Sequence, residues 1–279
     1  MSTPRLTIFS LPRGFRGGND LLQRNAIASW TRLPGVEVVL LGEEEGLAEA
    51  AMSLSVRHEP QIARNELGTP LISDAFARFG QLARAPLVMF VNTDIILTGG
   101  MMDAIDALAR APFPQWLAVG QRYDLDQREP LGGGPGWEAD LLADVQRRGS
   151  LHGKAGLDYF VLPRNFAITF PPLAVGRPGW DSWLMFAVRH AGFALVDLTD
   201  VVTAIHQNHP PAYTSRGAEA MSNRRAAGGV YHMGTLRDAN WRAIRSDDGE
   251  VQFRRRLAGQ LWFAPPVRAM LAVKRALQR

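Results

Sequence analysis

Four short apolar runs restrict the folds open to this chain more than any other feature: LTIFSL (6–11), VEVVLLG (36–42), LVMFVN (87–92) and WLAVG (116–120). Their Val, Ile, Leu and Phe residues do not alternate with polar ones, which is the pattern of strands covered on both faces. Helical patterns lie between them, at about 19–32, 46–53, 70–84 and 99–110, and supply the crossovers that parallel pairing requires. The pattern predicts an α/β fold with a mostly parallel sheet between helices. Beyond a glycine-rich LGGGPG loop (131–136), the chain reads GLDYFVLPR (156–164) and a proline-rich FPPLAVGRPG (170–179). A helix from about Ser182 to Ala191 and a strand-like FALVDLTDVVTAIH (193–206) follow.

At 279 residues and 46% hydrophobic, the chain can build one large domain. It has no cysteine, which excludes disulfides and thiolate zinc sites and favours a reducing, cytoplasmic setting. No stretch reaches 18 uninterrupted apolar residues, so the expectation is a soluble or peripheral protein. From Val251 onward Arg254, Arg255, Arg256, Arg268, Lys274, Arg275 and Arg279 meet no acidic residue. Residues 251–279 are therefore expected as a basic amphipathic helical tail, either packed on the domain or resting at the inner face of a membrane. The arginines are not interleaved with aromatics along one element, and no nucleic-acid motif occurs, so nucleic acid is not an expected partner.

Four stretches carry candidate chemistry. In VMFVNTDIIL (88–97) a carboxamide and a carboxylate interrupt the most apolar run at its end, where open parallel sheets bind ligands. Asn92 and Asp94 could offer oxygen to Mn²⁺ or Mg²⁺ shared with a diphosphate, or shape a turn and cap a helix. In GWDSWLMFAVRHAGF (179–193), Asp181 stands where an N-cap would, and a carboxylate ionised there suits a general base. TAIHQNHPP (203–211) sets His206 and His209 where one of them could complete a metal site, the two not being separable by sequence. LPRGFRGGND (11–20) after the first run offers backbone amides with Arg13 to a diphosphate, yet fits neither the P-loop nor the dinucleotide pattern. Glu43 and Glu44 follow the second run, where ribose or base contacts occur in such sheets.

Taken in order, these stretches resemble glycosyltransferases of the GT-A fold, which use nucleotide-diphospho-sugars. FVNTDIIL is similar to the DxD motif, with Asn92 at the first acidic position and Asp94 at the second. GWDSWLMFAVRHAGFALVD resembles the segment in which inverting members carry an acidic pair, Trp180 standing at the first acid and Asp181 at the catalytic base. DYFVLPRNF resembles the stretch before it, and AIHQNH the strand whose histidine completes metal coordination. The resemblance implies a donor-binding half at about 1–130 and an acceptor-binding half at about 131–250. It further implies a donor that by family frequency is a UDP-sugar, a glycan or lipid-linked acceptor, and a role in polysaccharide biosynthesis. Asp94, Asn92 and His206 or His209 would hold the metal, Asp158 would bind sugar hydroxyls, Arg13, Glu43 and Arg64 would contact the nucleotide, and Asp181 would act as base. Two other readings compete: a sugar-1-phosphate nucleotidyltransferase, disfavoured because no lysine precedes Lys154, and a non-catalytic nucleotide- or carbohydrate-binding protein.

Overall fold

A computed structural model describes residues 3–210, 217–229, 232–264, 269–270 and 273. In chain order it contains β1 (Leu6–Ser10), α1 (Gly18–Thr31), β2 (Val36–Leu41), α2 (Leu47–Ser53), β3 (Arg57–Glu59), α3 (Ile72–Leu82), β4 (Leu87–Val91), β5 (Ile95–Leu97), α4 (Gly100–Ala109), β6 (Trp116–Val119) and β7 (Arg122–Leu125). The second half contains α5 (Trp137–Arg148), β8 (Ser150–Leu151), β9 (Tyr159–Pro163), α6 (Trp180–His190), β10 (Ala194–Asp197), β11 (Ala204–Gln207), α7 (Ala218–Ala226), β12 (Trp241–Arg245), β13 (Val251–Arg255) and α8 (Leu257–Phe263).

The predicted α/β architecture is present. Nine strands form one sheet in the order β13-β12-β10-β6-β9-β4-β1-β2-β3, parallel except for β9 and β13. The unalternating apolar runs are explained by burial on both faces. In β4, Leu87, Met89 and Val91 join one core with α1 and α4, while Val88 and Phe90 join the opposite core with α3 and α6. Each such side chain taken fully out of water contributes roughly 1.5–3 kcal/mol. The second core is tightly aromatic, with Phe90 meeting Trp180 edge-on at 5.5 Å and Phe9 stacked on Phe79 at 4.3 Å.

A smaller sheet, β5-β11-β7-β8, covers the rim of the large one and packs Ile96, Leu125 and Ile205 on α5. This sheet answers why polar residues interrupt 88–97: Asn92, Thr93 and Asp94 turn the chain out of one buried strand, β4, and into another, β5, of a different sheet. The stretch 193–206, read as one strand, is likewise divided, into β10 in the large sheet and β11 in the small one.

The boundary expected for the basic tail is corrected. Residues 251–255 are not its first helical turn but the edge strand β13, paired antiparallel with β12. Gly249, with φ of +86°, makes the turn, and VQFRR alternates so that Val251 and Phe253 pack on the core while Gln252 and Arg254 face solvent. The helix begins only at Leu257, and residues 265–268, 271–272 and 274–279 of the expected tail lie outside the described residues. No helix among the described residues is long and apolar enough to cross a membrane.

Candidate active site

Parallel strands align their carboxyl ends on one rim, so the segments after β1, β2, β4 and β6 leave the sheet together, carrying Arg13, Glu44, Asn92 to Asp94, and Arg122. Because β9 runs the other way, its amino end reaches the same rim. Val91 pairs with Tyr159, and the next backbone bond, from the Asn92 amide to the Asp158 carbonyl, is 2.9 Å long. Two adjoining cavities open there. One, of about 370 Å³, lies between the loop after β1, Glu44, Thr69 and Asp94. The other, of about 600 Å³, runs from Asp94 to the start of α6 and contains both Asp94 and Asp181. Arg13, Asn92, Asp94, Arg177 and His209 border both.

Strand pairing brings the histidines to Asp94. His206 in β11 lies opposite Ile95 in β5, and the Gln207 amide donates to the Asp94 carbonyl at 3.2 Å. That register holds His206 Nε2 3.8 Å from Asp94 Oδ2, and the turn beyond β11 returns His209 Nε2 to 3.0 Å from the same oxygen. One ligand atom from each of the three lies within 4.8 Å of the others. Both histidines converge, where sequence reading expected one of the two. Asn92 stands differently: its amide nitrogen donates to Asp158 Oδ1 at 2.7 Å, so it braces a neighbouring carboxylate.

Asp94 is mostly buried. Burial pushes its carboxyl up, but the hydrogen bond from His209 and the charges of His206, His209 and Arg13 outweigh it and hold the group below the ordinary carboxylate range. The bond to Asp94 raises His209, whereas burial lowers His206. Asp94 Oδ1 and His206 Nδ1 are buried without a hydrogen-bond partner. Orphaned lone pairs beside a three-residue cluster of this kind fit a divalent cation. Two imidazoles and one carboxylate suit Mn²⁺ better than Mg²⁺, which prefers an all-oxygen shell.

Asp181 sits elsewhere in the same cavity. It is not the N-cap of α6: Gly179 takes that position with φ of +112°, a conformation glycine adopts freely, and Asp181 is the second helical residue. Burial pushes its carboxyl up, and the backbone amides of Ser182, Leu157, Asp181 and Gly179 oppose the shift without cancelling it. The helix terminus alone would have moved the group the other way.

Asp158, 8% exposed, is pushed by burial to about 6, against the pull of Arg122 and the hydrogen bond from Asn92, with the charge of Asp94 adding to the rise. Its partner Arg122 also donates to Asp124 at 3.0 Å. Arg13 is held in place by Gln23, whose side chain accepts from the Arg13 amide at 2.7 Å and donates to its carbonyl at 3.0 Å. Glu43 and Arg64 border neither cavity. Arg64 pairs with Glu44 at 2.9 Å, and Glu44, with Oε2 buried and unpartnered, is the glutamate that lines the smaller cavity.

Sequence reading missed Arg122, Asp124 and His152. Asp124 receives His152 Nδ1 at 2.7 Å and lies 3.2 Å from His206 Nδ1, close enough for attraction though misaligned for a hydrogen bond. The available signal was the alternation in RYDL (122–125), a strand with one face polar.

No protein-family model and no curated protein matches the sequence. Among solved structures, the chain is similar to glucosyl-3-phosphoglycerate synthase from Mycobacterium tuberculosis in complex with Mg²⁺ and uridine diphosphate, with 14% identity over 91% of this chain and 87% of that one and a TM-score of 0.48. The same synthase with Mn²⁺, UDP-glucose and phosphoglyceric acid aligns at 14% identity over 81% of each chain, TM-score 0.47. S. aureus TarS aligns over 45% of this chain and 23% of its own, with 12% identity and a TM-score of 0.33.

Proposed function

We propose that this chain is a glycosyltransferase that moves a sugar from a nucleoside-diphosphate donor to an acceptor hydroxyl, with Asp94, His206 and His209 as metal ligands and Asp181 as the base. The observation that carries this reading is the single crevice shared by Asp94 and Asp181 at the carboxyl rim of the sheet, one carboxylate set among cations and the other among backbone amides. The nucleoside occupies the smaller cavity, beside Glu44 and Thr69, and the diphosphate lies across Arg13 at the border of the two. UDP, carried by the similar synthase, is the donor nucleotide to test first.

In the reaction, the bond from the sugar anomeric carbon to the phosphate oxygen breaks and its electron pair leaves with the diphosphate. The acceptor oxygen bonds the same carbon, and its proton passes to Asp181. Asp94, His206 and His209 would hold a divalent cation, Mn²⁺ by the donor set, which when bound would supply electrostatic stabilisation for the leaving diphosphate. Arg13 adds a fixed cation at the same oxygens. The raised affinity of Asp181 for a proton makes it a stronger base than a solvated carboxylate, provided that it is ionised when the acceptor binds. Attack from the Asp181 side of the crevice, opposite the leaving group, inverts the anomeric carbon.

Asp158, braced by Asn92 and Arg122, faces the same cavity and accepts hydrogen bonds from sugar hydroxyls. The basic residues of the carboxyl-terminal region favour an acceptor presented at an anionic lipid surface, at the cytoplasmic face of a membrane. The test is a thermal-shift screen of nucleotide-sugars with and without Mn²⁺, followed by transfer assays on those that bind. A UDP-sugar is expected to raise the melting temperature only with Mn²⁺ present, since a ligand of the folded state stabilises as RT ln(1 + [L]/Kd). No shift by any nucleotide-sugar sinks the reading.

A further inference from the structure

Beyond the residues assigned to the donor, the larger cavity is lined by an arginine that has no ion-paired carboxylate among the described residues. Arg224, on α7, lines the larger cavity together with Met233 and the Trp180 to Ser182 start of α6, and does not border the smaller cavity. It is half-buried. Among the described residues no carboxylate comes within ion-pair distance of it, and its polar contact is Met221 Sδ at 4.0 Å. Arg122 and Arg177 differ, the first committed to Asp158 and Asp124 and the second to Glu219, while Arg13 acts on Asp94 at the border with the smaller cavity.

The position of Arg224 is not left to a loose helix. α7 is fastened to the body of the protein at two points. Asn223 accepts from the Ala174 amide at 2.8 Å and donates to the Ala174 carbonyl at 2.9 Å. Glu219 accepts from Asn65 at 2.9 Å, from Thr69 at 2.5 Å and from Arg177 at 2.7 Å. A guanidinium anchored this way, beside a cavity and partly out of water, loses hydration without gaining a partner from the fold. Its planar fork is built to take a phosphate or carboxylate by two parallel hydrogen bonds. The amino end of α6, which borders the same cavity, adds positive potential there.

We propose that the acceptor is anionic, a hydroxyl compound bearing a phosphate or carboxylate group that Arg224 binds while its hydroxyl points toward Asp181. This rests on the transferase reading above and adds the chemical class of the acceptor. A free metabolite and a phospholipid headgroup share that chemistry, and the test separates them.

The experiment is calorimetry on the full chain loaded with UDP and Mn²⁺, using sn-glycerol 3-phosphate against glycerol. A second arm measures sedimentation with phosphatidylglycerol vesicles against phosphatidylcholine vesicles, and each arm is repeated on Arg224→Ala and Arg224→Glu. The expected result is binding of the anionic probe in one arm and not of its neutral counterpart, weakened about tenfold or more in Arg224→Ala and lost in Arg224→Glu. UDP affinity and melting temperature should be unchanged in both variants. Dependence on Arg224 in the calorimetric arm identifies a free anion, and dependence in the vesicle arm a lipid headgroup. Equal binding of neutral and anionic probes, binding that survives Arg224→Glu, or no binding in either arm overturns the proposal while leaving the transferase standing, so long as UDP binds. A wild-type protein that binds no UDP with Mn²⁺ overturns both.

Discussion

Asp94 and Asp181 face the same crevice from environments of opposite character. Around Asp94 the fold gathers His206, His209 and Arg13, and their charges outweigh the cost of burial, so the carboxylate is held ionised. Around Asp181 it provides peptide amides, with no charged partner among the described residues, and burial prevails. Two carboxylates of identical intrinsic acidity are thereby separated in proton affinity, one suited to holding a cation and the other to receiving a proton. The difference lies in what each strand end and helix start places within a few ångströms, not in the residues themselves.

Four measurements would break or sharpen that contrast. The largest effect belongs to Asp181→Asn, which keeps the shape and removes the base: transfer should fall by roughly 10²- to 10⁴-fold. UDP and Mn²⁺ affinity, followed by calorimetry, should stay within experimental error. Near-normal turnover would remove Asp181 from the chemistry. Asp94→Ala is the converse, expected to cost Mn²⁺ affinity by at least about 100-fold, more than outer-shell changes do. Electron paramagnetic resonance of free Mn²⁺ reads this directly, and tight Mn²⁺ binding by the variant would place the metal elsewhere.

Asp124→Asn tests the support behind His206. It lies 3.2 Å from Nδ1 and directs the other ring nitrogen toward Asp94, so its loss should weaken Mn²⁺ binding by about 10- to 100-fold without touching a ligand. An unchanged Mn²⁺ titration would reduce Asp124 to a partner of Arg122 and His152. The smallest effect concerns stability. The Asp158 carboxyl lies at about 6 in the folded chain against an ordinary 3.8, so its contribution is fully present below the ordinary value and is lost as pH rises through about 6. The loss is of the order of 2–3 kcal/mol between those limits. Urea melts of wild type and Asp158→Asn between pH 4 and 7 should show a steeper decline for wild type, and parallel curves would contradict the raised value.

Much of the frame was legible in the chain. The runs at 6–11, 36–42, 87–92 and 116–120 each became a strand of the large sheet, because a strand buried on both faces leaves a continuous apolar signature. Asp94 and Asp181 could be named because each follows or begins such an element. Other assignments were out of reach of pattern alone. Glu43 and Glu44 are indistinguishable in a run of three glutamates, and only the turn at Gly42, with φ of +106°, sends Glu44 to the cavity and leaves Glu43 in solvent. Arg64 read as a ligand contact because its pairing with Glu44 is invisible in one dimension. β13 was merged with the tail because its arginines mask an alternation only five residues long.

By itself, the sequence determined that this chain would fold as helices around a mostly parallel sheet, and that polar residues would collect at the strand ends. Periodicity reports burial, and burial is written locally, residue by residue. The tertiary structure decided which polar residues meet: His209 reaches Asp94 across 115 positions of chain, and Arg224 lines the cavity of Asp181 on a helix that Asn223 and Glu219 anchor. Those encounters depend on cross-strand register and on the reversed strand β9, long-range pairings that no local pattern encodes.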